Sequence, residues 1–444
     1  MPTTVRSRTG LRMTVLAVAQ FLVAVDFDIV FVALPQIGRA LGFPPDGLQW
    51  VVSAFTVVLG GFLLLGGRCA DRLGKRRMFA VGMAVFGAAS LAGGLATTPA
   101  ALVAARAVQG LGSALIVPAS LALLGATFAE GAERNRAFAL WGVAGASGAA
   151  VGALGGGALT AAFGWQAVLL VAVPVAAVLV AAARVFPADG PRRPGAFDAP
   201  GAVLATAGAT ALVYGIVTRG WAIVAGLALL VVFLLVEART ADPLLPPRLL
   251  RGRGIAVPTA AVFLFMGAVA AAYYLITVFL QDVLGFTPLA AGLAFAPMSL
   301  LSMAGSGLLF PRLLNRYGPV RALAVGLAGM AAGVAGVAIS VPAEDYVVTL
   351  PWLVWALFAG VAYPAVYRAV GAAAPAGEQG VAGAVASTAQ YVGGAVGLAA
   401  ILAATGLDHA VGDALPGALS TAGLVAALVL AAGAVLVVAL RPRS

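Results

Sequence analysis

Fourteen runs of about twenty apolar residues, parted by short charged or turn-rich breaks, occupy nearly the whole of this 444-residue sequence. A bilayer core about 30 Å thick is crossed by roughly 20 helical residues, so each run is long enough to span. The runs lie at 12–34, 48–67, 78–97, 99–124, 136–160, 165–186, 199–218, 220–237, 255–281, 289–311, 320–341, 346–370, 381–406 and 417–440. The third and fourth are parted only by Thr97-Thr98-Pro99-Ala100, and their combined length separates them. Composition removes the soluble alternative. Hydrophobic residues make up 62% of the chain and charged ones 9%, against about 45–50% and 25% in soluble domains. So few charges could not cover a water-soluble globule of this size, and the fold expected is an all-α polytopic membrane protein.

The net charge of +10 would elsewhere suggest nucleic acid, but its distribution points to the membrane. With the N-terminus inside, the loops on the inner side hold 23 of the 26 Lys and Arg. The outer loops hold Arg39 and Arg219, and Arg106 lies within a span. Inner loops sum to +15, outer loops to −4 and spans to −1. This is the positive-inside bias, which an odd number of spans would scramble. Arg6, Arg8 and Arg12 before an apolar run resemble a signal peptide. That run is too long for an h-region and carries Asp26 and Asp28, so it reads as a retained first span. Both termini are expected in the cytoplasm. Arginine outnumbers lysine 25 to 1, which suits a high-GC bacterium and a plasma-membrane location.

One cysteine, Cys69, excludes an intramolecular disulfide and a cysteine-cluster metal or iron–sulfur site. One histidine, His409, expected in the last outer loop, excludes a multi-histidine zinc site. The chain has no phosphate-binding P-loop and no plausible triad. It is therefore not read as an enzyme, it needs no cofactor, and an ion gradient must supply its energy.

A segment repeats. Residues 66–82 (GGRCADRLGKRRMFAVG) recur as 310–326 (FPRLLNRYGPVRALAVG), offset by 244. Arg68 pairs with Arg312, Asp71 with Asn315, Arg72 with Arg316, Gly74 with Gly318 and Arg77 with Arg321. Both copies follow the second span of a six-span set. The expected organisation is an N-terminal six-helix half over 1–190, an inserted two-helix hairpin with linkers over 191–253, and a C-terminal half over 254–444. Paired halves of this kind are the plan of many secondary transporters, with substrate sites near the midplane.

Four segments resemble the major facilitator superfamily, in particular its fourteen-span drug:proton antiporter branch. They are GGRCADRLGKRR after the second span, RAVQGLGSALIVPAS at 106–120, VDFDIVFVALP at 25–35, and GVAGASGAAVGALGGG at 142–157. The resemblance implies two six-helix halves and alternating access. Three positions depart from the family pattern. Ala153 follows Gly152 where a proline is usual, Asp28 and Phe31 stand for threonine and asparagine, and Gln166 and Ala167 replace two residues of a GWRW segment.

Asp26 lies fourteen residues after Arg12 and thirteen before Arg39, which puts it near mid-membrane. A charged aspartate there costs about 2.5–3.5 kcal/mol on insertion scales, so it faces a cavity or a partner. It is the expected proton carrier, the alternative being a structural aspartate bonded to neighbouring helices. Asp28 is turned about 200° from it on the helix and is expected to be a second titrating or substrate-charge site. By resemblance, Arg106 joins proton transfer with these acids; otherwise it is a structural hydrogen-bonding residue. Gln109 lies on nearly the same face, in a span-4 motif with Gly110 and Gly112.

The span-5 stripe of Gly148, Gly152 and Gly156, widened by Gly145 and Gly155, allows close helix approach. It reads either as ordinary packing or as a gate surface against the second half. In the loop motif, Gly67, Arg68, Asp71, Arg72, Gly74, Lys75 and Arg76 are the gating candidates. By resemblance, Asp71 pairs with arginine and with the N-terminus of a second-half helix, holding the cytoplasmic side shut. Phe27, Phe31, Trp50, Trp141, Tyr273, Tyr274, Tyr363, Tyr367, Gln390 and Tyr391 are candidates to line an apolar cavity, although aromatics in membrane helices also pack or sit at the interface.

The function expected is export of lipophilic or cationic small molecules in exchange for protons. Three alternatives stand beside it: a dedicated exporter of one endogenous metabolite or antibiotic, a proton-coupled uptake symporter, and a membrane receptor on the same fold. The partners expected are the bilayer, a small-molecule substrate and protons, for a monomer that binds no nucleic acid.

Overall fold

A computed structural model describes residues 3–44, 47–128, 132–189, 198–240, 243–245, 247–343, 350–374, 379–407, 409–410 and 412–440. Among these residues the chain is helical throughout its elements and contains no strand. In chain order the long helices are α1 (Thr3–Leu41), α2 (Trp50–Leu73), α3 (Lys75–Gly94), α4 (Pro99–Thr127) and α5 (Ala132–Phe163). They continue as α6 (Gln166–Val185), α7 (Ala199–Thr218), α8 (Ala222–Arg239), α9 (Arg253–Val283) and α10 (Pro288–Ser340). The last three are α11 (Leu350–Ala373), α12 (Gln379–Thr405) and α13 (Leu415–Ala439).

Twelve helices among the described residues are long and apolar enough to cross a membrane. The chain is thus a multi-pass membrane protein. The difference from fourteen runs is local. Helix α10 enters the count once with 53 residues, about 80 Å of helix at 1.5 Å per residue, far more than one bilayer. Gly318 breaks it, with φ 76° and ψ 172°, and Pro319 after it offers no amide. Helix α5, of 32 residues, lies outside the twelve.

Gly74, the repeat partner of Gly318, also takes a positive φ, 109°. Only glycine adopts such a backbone without strain, so the same residue turns the chain at the same place in both copies. The neighbours match too. Helix α1 packs on α5, and α4 packs on both α2 and α3. In the later part α9 packs on α12, and α11 packs on both limbs of α10. Helices α7 and α8 pack on each other, and α7 also contacts α2 and α12.

The glycine stripe sets the α1–α5 contact. Gly148 faces the Phe21 carbonyl, Gly152 that of Val25 and Gly156 that of Ile29. The register advances four residues at a time in the same direction on both helices, so α1 and α5 run parallel. That direction requires α3 and α4 to be separate passes, although only a four-residue break parts them. A Cβ on Gly152 would lie 2.8 Å from the Val25 carbonyl oxygen and 3.3 Å from the Ile29 nitrogen. Gly152→Val should therefore destabilise the detergent-solubilised protein by about 1–3 kcal/mol, seen as a lower melting temperature. Gly155→Ala is the control, because no atom lies within 4 Å of its added carbon, and it should leave the melting temperature unchanged or higher.

Candidate functional site

The two aspartates of α1 point to different helices, as their 200° separation requires. Asp26 is buried against α4. Its Oδ2 accepts from Arg106 NH1 at 2.6 Å, and its Oδ1 accepts from Gln109 Nε2 at 2.9 Å. Arg106 NH1 also donates to Gln109 Oε1 at 2.8 Å, and Arg106 Nε donates to the Val51 carbonyl at 3.0 Å. The guanidinium stands 4.4 Å from the centre of the Phe55 ring, within cation–π range. Gln109 Nε2 reaches Ser90 Oγ of α3 at 2.8 Å, and Ser90 passes the chain to the Phe86 carbonyl. Arg106 is 1% exposed and Asp26 2%. A guanidinium cannot discharge, and here a carboxylate, an amide, a carbonyl and a ring enclose it.

Glycines bring the helices that close. Gly110 lies against the α2 backbone at Phe55, and Gly112 against α3, where a Cβ would meet the Phe86 nitrogen at 2.8 Å. The span-4 motif is thus a packing device as well as a charge site: its glycines lower α4 onto α2 and α3, which carry Val51, Phe55 and Ser90. Those three partners left no mark in the apolar pattern, because a carbonyl, a ring and a hydroxyl inside a span look like any other core position.

Asp28 is also buried, 7% exposed, and no hydrogen-bond partner reaches it among the described residues. Its Cβ lies beside Gly152 of α5, and its charge reaches Tyr273 and Tyr363 of the second half. Tyr363 and Tyr367 stand 5.6 Å apart. Tyr367 donates to Gln390 and contacts Ser387, while Gln390 Nε2 donates to Tyr363 at 3.5 Å. Tyr391 lies against Gly60 of α2. Tyr363 is 46% exposed, with Tyr367 and Gln390 beside it and the Asp28 charge acting on it from the first half, so its open face is read as the wall of a cleft between the halves.

The cleft is stopped toward the end of α1. Phe27 packs on Phe31 at 5.8 Å, Phe31 on Tyr273 at 5.6 Å, and Tyr273 stacks on Phe295 and meets Trp355 edge-on. Beyond this aromatic plug, Gln281 Nε2 donates to the Val32 carbonyl at 2.8 Å, and Arg39 pairs with Asp282 at 3.1 Å. Gly157 of α5 lies against Leu289 and Gly292 of α10. The halves are therefore joined at the Arg39 end. The contact surface toward the second half is Gly157, while the stripe at 148, 152 and 156 faces α1.

Other candidates lie apart from the cleft. Trp50 packs on Tyr214 of α7 at 6.4 Å. Trp141 packs within the first-half core. Tyr274 lines a separate cavity of about 360 Å³ at the Arg39 end, with Leu34, Phe43 and Asp282. At the opposite end, Asp71 is exposed, and the carboxylate on a helix N-terminus is Asp189. It accepts the amides of Arg76 and Arg77 at 3.0 and 2.9 Å, beside the Gly74 turn, and Arg76 NH1 donates to the Phe186 carbonyl. A carboxylate is favourable there because the first-turn amides lack partners and carry the positive end of the helix dipole. No group of three or more His, Cys, Asp and Glu that could hold a metal occurs among the described residues.

Comparison with known proteins gives one consistent result. The family model described as Major Facilitator Superfamily matches residues 16–398. The puromycin resistance protein of Streptomyces alboniger is 42% identical over 73% of this chain and 66% of its own length. The cephamycin export protein of Amycolatopsis lactamdurans is 41% identical over 74% of this chain and 71% of its own. The tetracenomycin C resistance and export protein of Streptomyces glaucescens is 32% identical over 79% of this chain. The chain thus spans about two-thirds of the length of the first two relatives. The crystal structure of the human organic anion transporter MFSD10 superimposes with a TM-score of 0.66 over 97% of this chain and 99% of that one, at 17% identity, which speaks to fold alone.

Proposed function

The chain belongs to the major facilitator superfamily, and from that premise we propose that it exports lipophilic or cationic small molecules, antibiotics among them, in exchange for protons. The observation that carries this is Asp28, a buried carboxyl without a hydrogen-bond partner among the described residues, facing a cleft lined by tyrosines. An unpaired buried carboxylate is costly. It calls for a proton or a cationic substrate, and one site that takes either in turn is the minimum part of an antiporter. Tyrosine faces add cation–π attraction for an amine, and their hydroxyls add donors for orientation.

Asp26 holds a different place in the cycle. The motif pattern favours it as the proton carrier, yet its charge is already met by Arg106 and Gln109. We assign the exchange step to Asp28 and the passing of the proton across the first half to the Asp26–Arg106–Gln109 network. The positive-inside bias supports an orientation with the Arg68 end and both termini in the cytoplasm of a bacterial cell. The conformation described, joined at the Arg39 end, is then closed to the exterior. Alternating access would exchange those contacts for closure at the Arg68 end, where Asp71 is available for a partner.

A dedicated exporter of one antibiotic is the second reading, favoured by relatives named for puromycin, cephamycin and tetracenomycin C. Proteoliposomes under an imposed pH gradient test both, using a panel of amphipathic cations, neutral antibiotics and anions. Uphill movement of several unrelated cations is the expected result. Movement of a single antibiotic selects the second reading, and a panel unmoved with or without the gradient overturns both.

A further inference from the structure

At the Arg68 end, the base of the α7–α8 hairpin buries two acids that the central cleft does not use. Glu237, in the last turn of α8, is 1% exposed, and Asp198, which caps α7, is 8% exposed. Asp198 Oδ1 accepts the Gly201 amide at 3.1 Å. Glu237 Oε1 is buried with no hydrogen-bond partner among the described residues. A Cβ on Gly201 would lie 2.5 Å from that oxygen and 2.8 Å from Asp198 Oδ2, so the missing side chain makes the slot in which they meet. Two ionised carboxylates lining one buried slot repel each other, so the pair is favoured with one proton held between them.

The pair also holds the following linker. The Leu245 amide donates to Glu237 Oε2 at 2.8 Å, and the Leu244 amide to Asp198 Oδ2 at 3.4 Å. One residue earlier, the Pro243 carbonyl accepts from Arg68 NH2 at 2.6 Å. Arg68 belongs to the loop motif at the end of α2, and its charge faces Glu237. Among the described residues, Asp198 and Arg68 are the charged groups facing Glu237. Arg239 of its own helix, Arg248 past the linker and Asp71 of α2 are exposed.

We propose that Glu237 and Asp198 form a second protonation site, at the base of the inserted hairpin, that positions the Arg68 turn of the gating loop. With one shared proton, the pair carries a single negative charge and Arg68 rests on Pro243. Loss of that proton to water leaves two carboxylates, which draw the guanidinium off the carbonyl and pull the turn onto the hairpin. The inserted helices then read pH on the side where the gating loop lies. The transport reading supplies the consequence of this site, while its test needs no transport.

Cys69, next to Arg68 and the only cysteine in the chain, is the reporter. Maleimide labelling of the purified full-length protein is followed from about pH 5.5 to 8.5, each rate divided by that of Glu237→Gln at the same pH to cancel the thiol's own titration. The ratio should be near one at low pH and fall about three- to fivefold at high pH. Asp198→Asn, which removes the same charge from the other helix, should show the same labelling profile as Glu237→Gln and serves if the latter does not fold. Arg68→Gln should also abolish the fall, because no cation remains to be drawn in. Superimposable profiles for wild type and both acid variants overturn the proposal. So does a full fall retained in Arg68→Gln, which would mark a direct effect of charge on the thiol. Infrared difference spectra supply the second measurement, taken in the Asp28→Asn background to remove that acid's own band: a protonated-carboxyl stretch should be present with Glu237 and lost in Glu237→Gln, and the same band with and without Glu237 also overturns the proposal.

Discussion

Asp26→Asn should cost the folded protein about 3–5 kcal/mol and abolish pH-driven transport. The mutation leaves Arg106 charged, 1% exposed and without a counter-ion, and a stranded buried charge is far more expensive than a lost pair. Arg106→Gln should cost a similar amount by stranding Asp26 instead. The double variant, Asp26→Asn with Arg106→Gln, removes both charges and keeps amides able to bond Gln109, Ser90 and the Val51 carbonyl. It should regain most of the stability and none of the coupling. Thermal unfolding of the four proteins in detergent gives the coupling energy as a double-mutant cycle. Additive losses would show that the pair is not the unit described above. Retained uphill transport by the double variant would remove the network from the proton path.

Asp28→Asn is expected to have the opposite profile. Among the described residues the carboxyl has no hydrogen-bond partner to lose, so the melting temperature should hold or rise. Uphill export of cations should nevertheless fall tenfold or more, a loss of about 1.4 kcal/mol or greater in the driving interaction. The sign with pH follows from competition at one oxygen pair. A cation binds the ionised carboxyl, so wild-type affinity should strengthen as pH rises, and in Asp28→Asn that dependence should be flat. Neutral members of the panel should bind both proteins alike. Binding by fluorescence quenching across pH, with transport measured in parallel, checks each arm. A cation affinity that keeps its full pH dependence in Asp28→Asn would falsify the exchange role.

Much of the fold is legible along the chain, because lipid imposes a length and a polarity on each pass. The run at 199–218 coincides with α7, and those at 255–281 and 381–406 differ from their helices by two residues or fewer at each end. The repeat is legible as well, since Gly74 and Gly318 are matched letters that turn out to share a positive φ. Within a helix, angular arithmetic separates Asp26 from Asp28 and places Gln109 beside Arg106. The limit comes at the neighbour. Periodicity tells which side chains share a face and not what stands opposite, so the sequence leaves the partner of the glycine stripe open, and the structure sets it on the α1 carbonyls.

By itself, the sequence determined a helical membrane protein, its family, its charge bias and the few polar side chains its spans must accommodate. The hydrocarbon penalty acts locally, on each run, and can be read residue by residue. Only the tertiary structure decided which acid Arg106 neutralises, that Asp28 faces the second half, that Gly157 meets α10, and that Glu237 and Asp198 share a slot beside Arg68. Those outcomes depend on approaches between residues 39 (Asp198 and Glu237) to 132 (Gly157 and Leu289) positions apart, made where a missing Cβ leaves room for them. The pattern of one helix does not encode its neighbour's position.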